Sequence, residues 1–220
     1  MPDGAFCPQF EIFFDAAHGA HDQLYEGYGT FGLPPAPGDR PWIYTNFVQS
    51  LDGITSLLGQ HASGAGISQS REDRWLMDLL RAHADGLLLG MQTLVEERRL
   101  RGPESRGIVF QVVDPILKQA RIRLGKRRER NIFYTRALDL DLSSFKVFDG
   151  DIVDSAILTS PAGAERLRAQ GTCASVPIIA AGEGERVDFV QAMRKLREEL
   201  GIEYLLCEGG PTLYGELARA

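Results

Sequence analysis

Short apolar runs separated by amphipathic stretches occupy most of the chain after residue 40. Runs rich in β-branched, aromatic and aliphatic residues predict strands at 42–48, 85–90, 131–135, 156–160, 176–180 and 204–207. Apolar positions at helical spacing predict helices from a cap at Ser68 or Ser70 through Arg81, and at 93–99, 162–169, 187–200 and from 212 onward. The charged segment 117–130 predicts a helix and a turn. This alternation predicts an α/β fold with a mostly parallel central sheet flanked by helices.

The first 39 residues have a different pattern. An aromatic, amphipathic stretch from Phe10 to Tyr28 predicts a helix, and the Pro and Gly residues of 31–39 then predict a linker, because they cannot sustain a helix or a central strand. We therefore divide the chain into an N-terminal helical extension with its linker at 1–39 and one folded domain at 40–220.

Charge limits the classes of partner. Lys and Arg number 24 against 30 Asp and Glu, a net charge of −6 that argues against binding of nucleic acid or an anionic membrane. From Arg98 to Arg130, eleven basic and three acidic residues give +8, which leaves −14 for the remainder. That basic segment is typical either of a solvated helix face or of a site for a small phosphorylated ligand.

The cysteines and the N-terminus indicate a cytoplasmic protein. Cys7, Cys173 and Cys207 are scattered and form no C-x-x-C pair, so neither a disulfide framework nor a zinc cluster is predicted. His18 and His21 could contribute to a metal site, but surface amphipathicity explains them equally well, and we expect no metal. Neither a signal peptide nor an apolar run of about 18 residues is present in the sequence.

Glycine turns follow two of the predicted buried strands. Ligands of parallel sheets bind at the carboxyl ends of strands, where helix N-termini offer unpaired N–H groups. Gly90 and Thr93 have the features of a phosphate site there, although any tight strand-to-helix junction has them too. In Cys207-Glu-Gly-Gly-Pro-Thr-Leu213 the paired glycines could direct N–H groups toward a pyrophosphate, and Glu208 could orient or protonate a substrate.

A third polar segment, Ser50-Leu-Asp-Gly53, follows the first predicted core strand. It could present Ser50 and Asp52 to a ligand, or serve only as a turn, since Asp-Gly is a common turn pair.

Taken in order, three motifs resemble the pyrimidine reductase domain of riboflavin biosynthesis, the reductase half of the bifunctional deaminase-reductase, which has the dihydrofolate-reductase-like fold. The motifs are Arg40-Pro-Trp-Ile43 with Ser50-Leu-Asp-Gly53, then Leu80-Arg-Ala-His-Ala-Asp-Gly-Leu-Leu-Leu-Gly90-Met-Gln-Thr93, then Leu205-Leu-Cys-Glu-Gly-Gly-Pro-Thr-Leu213. The resemblance covers about Arg40 to Arg219 and implies a three-layer fold. The zinc signature of the deaminase half is absent from the sequence, so reductase chemistry alone is implied.

The resemblance also implies a cofactor, a substrate and roles for residues. It implies that NADPH reduces 5-amino-6-(5-phosphoribosylamino)uracil, a phosphorylated small molecule, to the ribitylamino product, and that the enzyme is a homodimer. By motif, Ser50, Asp52 and Glu208 would be catalytic. The expected cofactor-binding residues are Gly53, Gly90, Thr93, Gly209, Gly210, Pro211, Thr212 and Leu213.

Two departures from the family pattern affect the expected substrate. Ile54 stands where members carry lysine, and Glu97-Arg98-Arg99 stands where they carry Asp-Asp-Pro. We expect Arg98 and Arg99 to bind the substrate phosphate instead. The departures also leave open a reductase of the same fold for another heterocycle, such as dihydrofolate, or a nucleotide-binding module without turnover. Members continue into further strands, so the family's C-terminal strands are expected to be missing after Ala220.

Overall fold

The computed structural model describes residues 33–49, 51–53, 70–102, 104–136, 141–171 and 175–220, together with the backbone of 23–25 and 29–30. The strands are β1 (Gln23–Tyr25), β2 (Gly29–Thr30), β3 (Trp42–Thr45), β4 (Gly86–Gly90), β5 (Arg130–Tyr134), β6 (Asp154–Thr159), β7 (Ile178–Ala180) and β8 (Tyr204–Cys207). The α-helices are α1 (Arg71–His83), α2 (Met91–Leu100), α3 (Pro115–Arg123), α4 (Pro161–Gln170), α5 (Phe189–Leu200) and α6 (Pro211–Arg219). Two 3₁₀ turns, Leu142–Ser144 and Lys146–Phe148, precede β6.

The described residues form a central sheet of six strands in the order β3-β8-β4-β5-β6-β7. Every neighbouring pair is parallel. In register, Leu87 of β4 lies between Asn131 of β5 and Leu206 of β8. The prediction of a mostly parallel α/β sheet is therefore confirmed.

Because successive side chains of a strand point to opposite faces of the sheet, there is an apolar layer on each face. Leu87 and Leu89 of β4 pack in one cluster with Leu94 of α2. Leu88 points to the other face, into a cluster with Leu196 of α5 and Leu213 of α6. Helices thus cover both faces, and the three-layer fold that the resemblance implied is confirmed.

The N-terminal helix prediction is wrong at its end. Gln23–Tyr25 and Gly29–Thr30 pair as antiparallel strands, so no helix extends through Tyr28. Gly27 and Gly29 disfavour a helix there, and strand pairing supplies the hydrogen bonds instead. The earlier part of that prediction, together with His18, His21 and Cys7, lies outside the described residues.

One arginine of the basic segment is structural. The Arg121 side chain is buried, and its Nη1 donates to the carbonyl oxygens of Arg81 at 2.9 Å and Ala84 at 2.6 Å. These acceptors belong to the last turn of α1 and its cap, where a helix leaves carbonyl groups unpaired. The guanidinium therefore ties α3 to the end of α1, and this part of the local positive charge is not exposed to solvent. None of the described helices is long and apolar enough to cross a membrane.

Candidate active site

The carboxyl ends of β4 and β8 lie side by side near the middle of the sheet. The N–H of Glu208 donates to the carbonyl oxygen of Leu88 at 3.0 Å, which continues the ladder past the end of β8. From β4 the chain builds β5, β6 and β7 on one side, and β8 returns on the other. The helices that follow β4 and β8 pack on opposite faces. Such a reversal of strand order opens a crevice at the carboxyl edge, which is where ligands of open α/β sheets bind.

Two helices begin at this crevice, and neither has a side-chain cap among the described residues. Gly90 precedes α2 and Gly210 precedes α6, and glycine offers no side chain to accept from the first-turn N–H groups. The other α-helices are capped by Ser70, Asp114, Ser160 and Asp188. First-turn N–H groups have no partner within their helix, and the helix dipole adds positive charge there. The two uncapped helix starts are therefore suited to binding anionic groups of a ligand.

The two glycines that follow β8 differ in what a side chain at each position would contact. A Cβ added at Gly209 would lie 3.0 Å from Cβ and Cγ of Leu213, and closer still to its Cδ2. A Cβ at Gly210 would meet nothing within 4 Å, and the φ of −68° there suits any residue. Packing thus requires Gly209, whereas Gly210 borders open space that a ligand can fill.

The remaining residues expected to bind the cofactor differ in how exposed they are to solvent. Pro211 and Thr212 are exposed in the first turn of α6, and Thr93 is half-buried in the first turn of α2. Leu213 is only 3% exposed, and its side chain packs in the core.

The segment that follows β3 runs beside the same helix start. The ring of Phe47 contacts that of Tyr214 in α6, with 5.1 Å between their centroids. Further on, Asp52 is exposed in a turn, and Gly53 has a φ of +86°, a conformation that favours glycine. Ser50 and Ile54 lie outside the described residues.

The Glu208 carboxylate is held by an arginine to which the sequence analysis assigned no role. Arg81 of α1 donates from Nε to Oε1 at 2.6 Å and from Nη2 to Oε2 at 2.7 Å. Each side chain is 9% exposed. Arg81 lies within the motif that carries the family resemblance, but no local pattern links it to a residue 127 positions later.

The structure does not bring Arg98 and Arg99 to the crevice. At 1.5 Å per residue, Arg98 lies about 12 Å along α2 from Gly90. Its guanidinium donates to the carbonyl oxygen of Ser105 at 2.9 Å and to Oγ of Ser144 at 2.7 Å. Arg99 is more than half exposed and pairs with Glu96 at 2.7 Å.

Arg136, which the sequence analysis did not select, lies closer to the crevice along the sheet edge. It is exposed, and it comes two residues after the end of β5, the other neighbour of β4. The guanidinium of Arg166 in α4 donates to the Arg136 carbonyl oxygen at 3.3 Å and is itself paired with Glu185. The feature of the sequence that could have pointed to this residue is its position, a basic residue just after a predicted buried strand.

The donors of the crevice fit a dinucleotide cofactor. Neighbouring strands are about 4.8 Å apart, so the strand ends that lead into α2 and α6 are adjacent. The open space at Gly210 would admit the pyrophosphate of such a cofactor close to the backbone. Among the described residues, no group of three or more His, Cys, Asp or Glu side chains is placed to hold a metal ion.

Comparisons with known proteins agree with this architecture. The family described as RibD C-terminal domain matches residues 41–220. No curated protein matches the sequence significantly.

Solved structures with this fold include two reductase-like proteins and a RibD. The riboflavin biosynthesis reductase Rib7 of Saccharomyces cerevisiae is 16% identical, with a TM-score of 0.53 over 82% of this chain and 68% of that one. A pyrimidine reductase-like protein of Corynebacterium diphtheriae is 22% identical, with a TM-score of 0.58 over 80% of this chain and 68% of that one. The RibD of Acinetobacter baumannii is 14% identical, with a TM-score of 0.51 over 83% of this chain and 43% of that one.

Proposed function

Because the chain belongs to the family of RibD C-terminal domains, we propose that it is an NADPH-dependent pyrimidine reductase of riboflavin biosynthesis. The observation that carries this proposal is the pair of uncapped helix starts, α2 at Gly90 and α6 at Gly210, on the two sides of the strand-order reversal. Two adjacent sets of N–H donors beside open space match the charge and size of a pyrophosphate better than those of a single small anion.

The chain's own residues would bind and orient the reactants. The first-turn N–H groups of α2, with the Thr93 hydroxyl, and those of Thr212 and Leu213 in α6 would hold the pyrophosphate. Asp52, in the exposed turn past β3, would contact the substrate together with Ser50, and Gly53 would contact the cofactor. Bound nicotinamide would supply the reducing equivalent, so the main task of the protein is to position the two reactants.

The substrate that we propose is 5-amino-6-(5-phosphoribosylamino)uracil. Family membership and the name of the Rib7 reductase, a protein of the same fold, support it. Because Glu97-Arg98-Arg99 departs from the family pattern, reduction of another heterocycle should also be tested, and dihydrofolate is the first such substrate to try. The homodimer that the resemblance implies stays a prediction, which sedimentation equilibrium would test.

We also propose that Arg136 favours NADPH over NADH. Arg136 is exposed just past the end of β5, and its guanidinium could pair with the 2′-phosphate, which only NADPH carries. The Arg136→Ala variant should lose about 10- to 160-fold in affinity for NADPH and almost none for NADH, since one charge-assisted contact is worth about 1.5–3 kcal/mol. Equal losses for both cofactors would contradict this role.

The experiment that tests the proposed function is a calorimetric titration with NADPH and NADH, followed by turnover with the pyrimidine substrate and with dihydrofolate. Gly210→Val places a side chain in the open space at the start of α6 and should abolish binding. Gly150→Val is the matched control, because Gly150 is exposed before β6, has an ordinary φ, and has nothing within 4 Å of an added Cβ. Absence of NADPH binding by the folded wild-type chain would refute the proposal.

A further inference from the structure

We propose that Arg81 is a positioning residue of this site, which fixes the orientation of the Glu208 carboxylate at the start of the paired-glycine turn, so that Glu208 orients the site and does not donate a proton. This inference rests on the proposed function. It concerns two residues that the fold brings together from α1 and from the end of β8.

The Arg81 guanidinium binds the Glu208 carboxylate in a bidentate, fork-like geometry. Both Glu208 oxygens accept from different Arg81 nitrogens, at 2.6 and 2.7 Å, and both side chains are nearly buried. Two parallel charge-assisted hydrogen bonds fix orientation as well as distance, which a single contact or a lysine cannot do. The Glu208 carboxylate therefore has one orientation relative to α1.

Arg81 is itself fixed from its other side. Its Nη1 donates to the carbonyl oxygen of Gln111 at 3.2 Å and lies 3.7 Å from Oδ1 of Asp78. Oδ2 of Asp78 in turn accepts from the N–H groups of Val113 and Asp114, at 2.8 and 2.7 Å. The guanidinium is thus held between two carboxylates and a backbone segment, so it cannot follow Glu208 if that side chain moves.

This arrangement disfavours proton donation by Glu208. A carboxylate must be protonated before it can act as an acid, and protonation would remove an acceptor from a buried cation. Burial by itself lowers the pKa of the Arg81 guanidinium, but the charge and hydrogen bonds of Glu208, with the charge of Asp78, raise that pKa above its usual value. The Arg81 guanidinium is therefore expected to stay charged near neutral pH.

The pair also determines where the glycine turn begins. The backbone of Glu208 is still in the ladder through its bond to Leu88, and its side chain is anchored to α1. The next residue, Gly209, packs directly against Leu213 of α6. Anchoring Glu208 on both backbone and side chain therefore sets the position from which Gly210 and the start of α6 face the crevice.

The first test measures NADPH affinity by calorimetry in full-length variants. Arg81→Lys keeps the charge but loses the fork, and it should weaken binding about tenfold, the low end for loss of a supporting residue. The matched control is Arg121→Lys, the same change at another buried arginine, whose hydrogen bonds go to backbone carbonyl groups of α1, its cap and Arg127. Both variants should lose stability, but only Arg81→Lys should lose affinity. Equal affinities for Arg81→Lys and wild type would overturn the inference.

The second test separates positioning from proton donation through Glu208→Gln. Loss of a general acid lowers kcat by about 100-fold or more and leaves cofactor affinity unchanged. Loss of a positioning anion instead raises the Kd and KM for NADPH, while kcat at saturation falls much less. The first pattern would refute the inference and leave the proposed function intact, whereas failure of wild type to bind NADPH would refute the proposed function itself.

Discussion

The paired glycines allow stability and ligand approach to be tested separately, because only one of them is needed for packing. In Gly209→Ala the new methyl group would lie 3.0 Å from Cβ and Cγ of Leu213. Leu213 cannot retreat freely, because it is 3% exposed and its Cβ is fixed by the backbone of α6. Forcing a methyl group into a packed core typically costs about 1–3 kcal/mol. In Gly210→Ala the methyl group enters open space, and the free energy of unfolding should change by less than about 0.5 kcal/mol.

Urea denaturation followed by tryptophan fluorescence measures this difference. With an m-value of about 2 kcal/mol/M, a loss of about 2 kcal/mol moves the unfolding midpoint by about 1 M. We therefore expect a clear shift for Gly209→Ala and almost none for Gly210→Ala. Equal midpoints for the two variants, at an unchanged m-value, would refute the assignment of Gly209 to packing.

Three further predictions concern other buried or paired residues. Asn131→Leu should cost about 2 kcal/mol or more in urea denaturation, because the buried amide accepts from the Phe110 N–H at 3.0 Å and donates to its carbonyl at 2.8 Å; an unchanged midpoint would contradict this. Burial raises the pKa of the Cys207 thiol to about 11, so this thiol should react slowly with iodoacetamide at pH 8. Peptide-resolved mass spectrometry should find Cys207 unalkylated until urea unfolds the chain, and fast labelling of the native protein would disprove its burial. Arg98→Ala should lower stability by about 1–2 kcal/mol and Arg99→Ala by less than about 0.5 kcal/mol, since only Arg98 makes long-range hydrogen bonds; the reverse order would be inconsistent with the structure.

Local pattern was enough to predict most elements of the domain. The predicted helix with a cap at Ser68 or Ser70 is observed as α1 with its cap at Ser70, whose Oγ accepts from the N–H groups of Glu72 and Asp73. The strand predicted at 204–207 is observed with the same limits. These signals are local, because a cap, a turn glycine and an apolar period act over a few neighbouring residues.

The first predicted core strand shows where local pattern failed. Apolar and aromatic residues continue to Val48, but β3 ends at Thr45. Its partner β8 ends at Cys207, opposite Thr45, and the ladder between them ends where the Asn46 N–H donates to the Cys207 carbonyl oxygen at 3.3 Å. Strand ends depend on the length of the neighbouring strand, which the residues of the strand itself do not contain.

For this protein the sequence by itself determined the fold class, the family resemblance and the two glycine turns at strand ends, because each depends on residues close together in the chain. Only the tertiary structure decided that β8 returns beside β4, so that the uncapped starts of α2 and α6 border one crevice. It also decided that Glu208 pairs with Arg81 and that Arg98 lies away from the site. The physical reason is that parallel strand order and buried ion pairs join residues far apart in the chain, by long-range packing that leaves no trace in local periodicity.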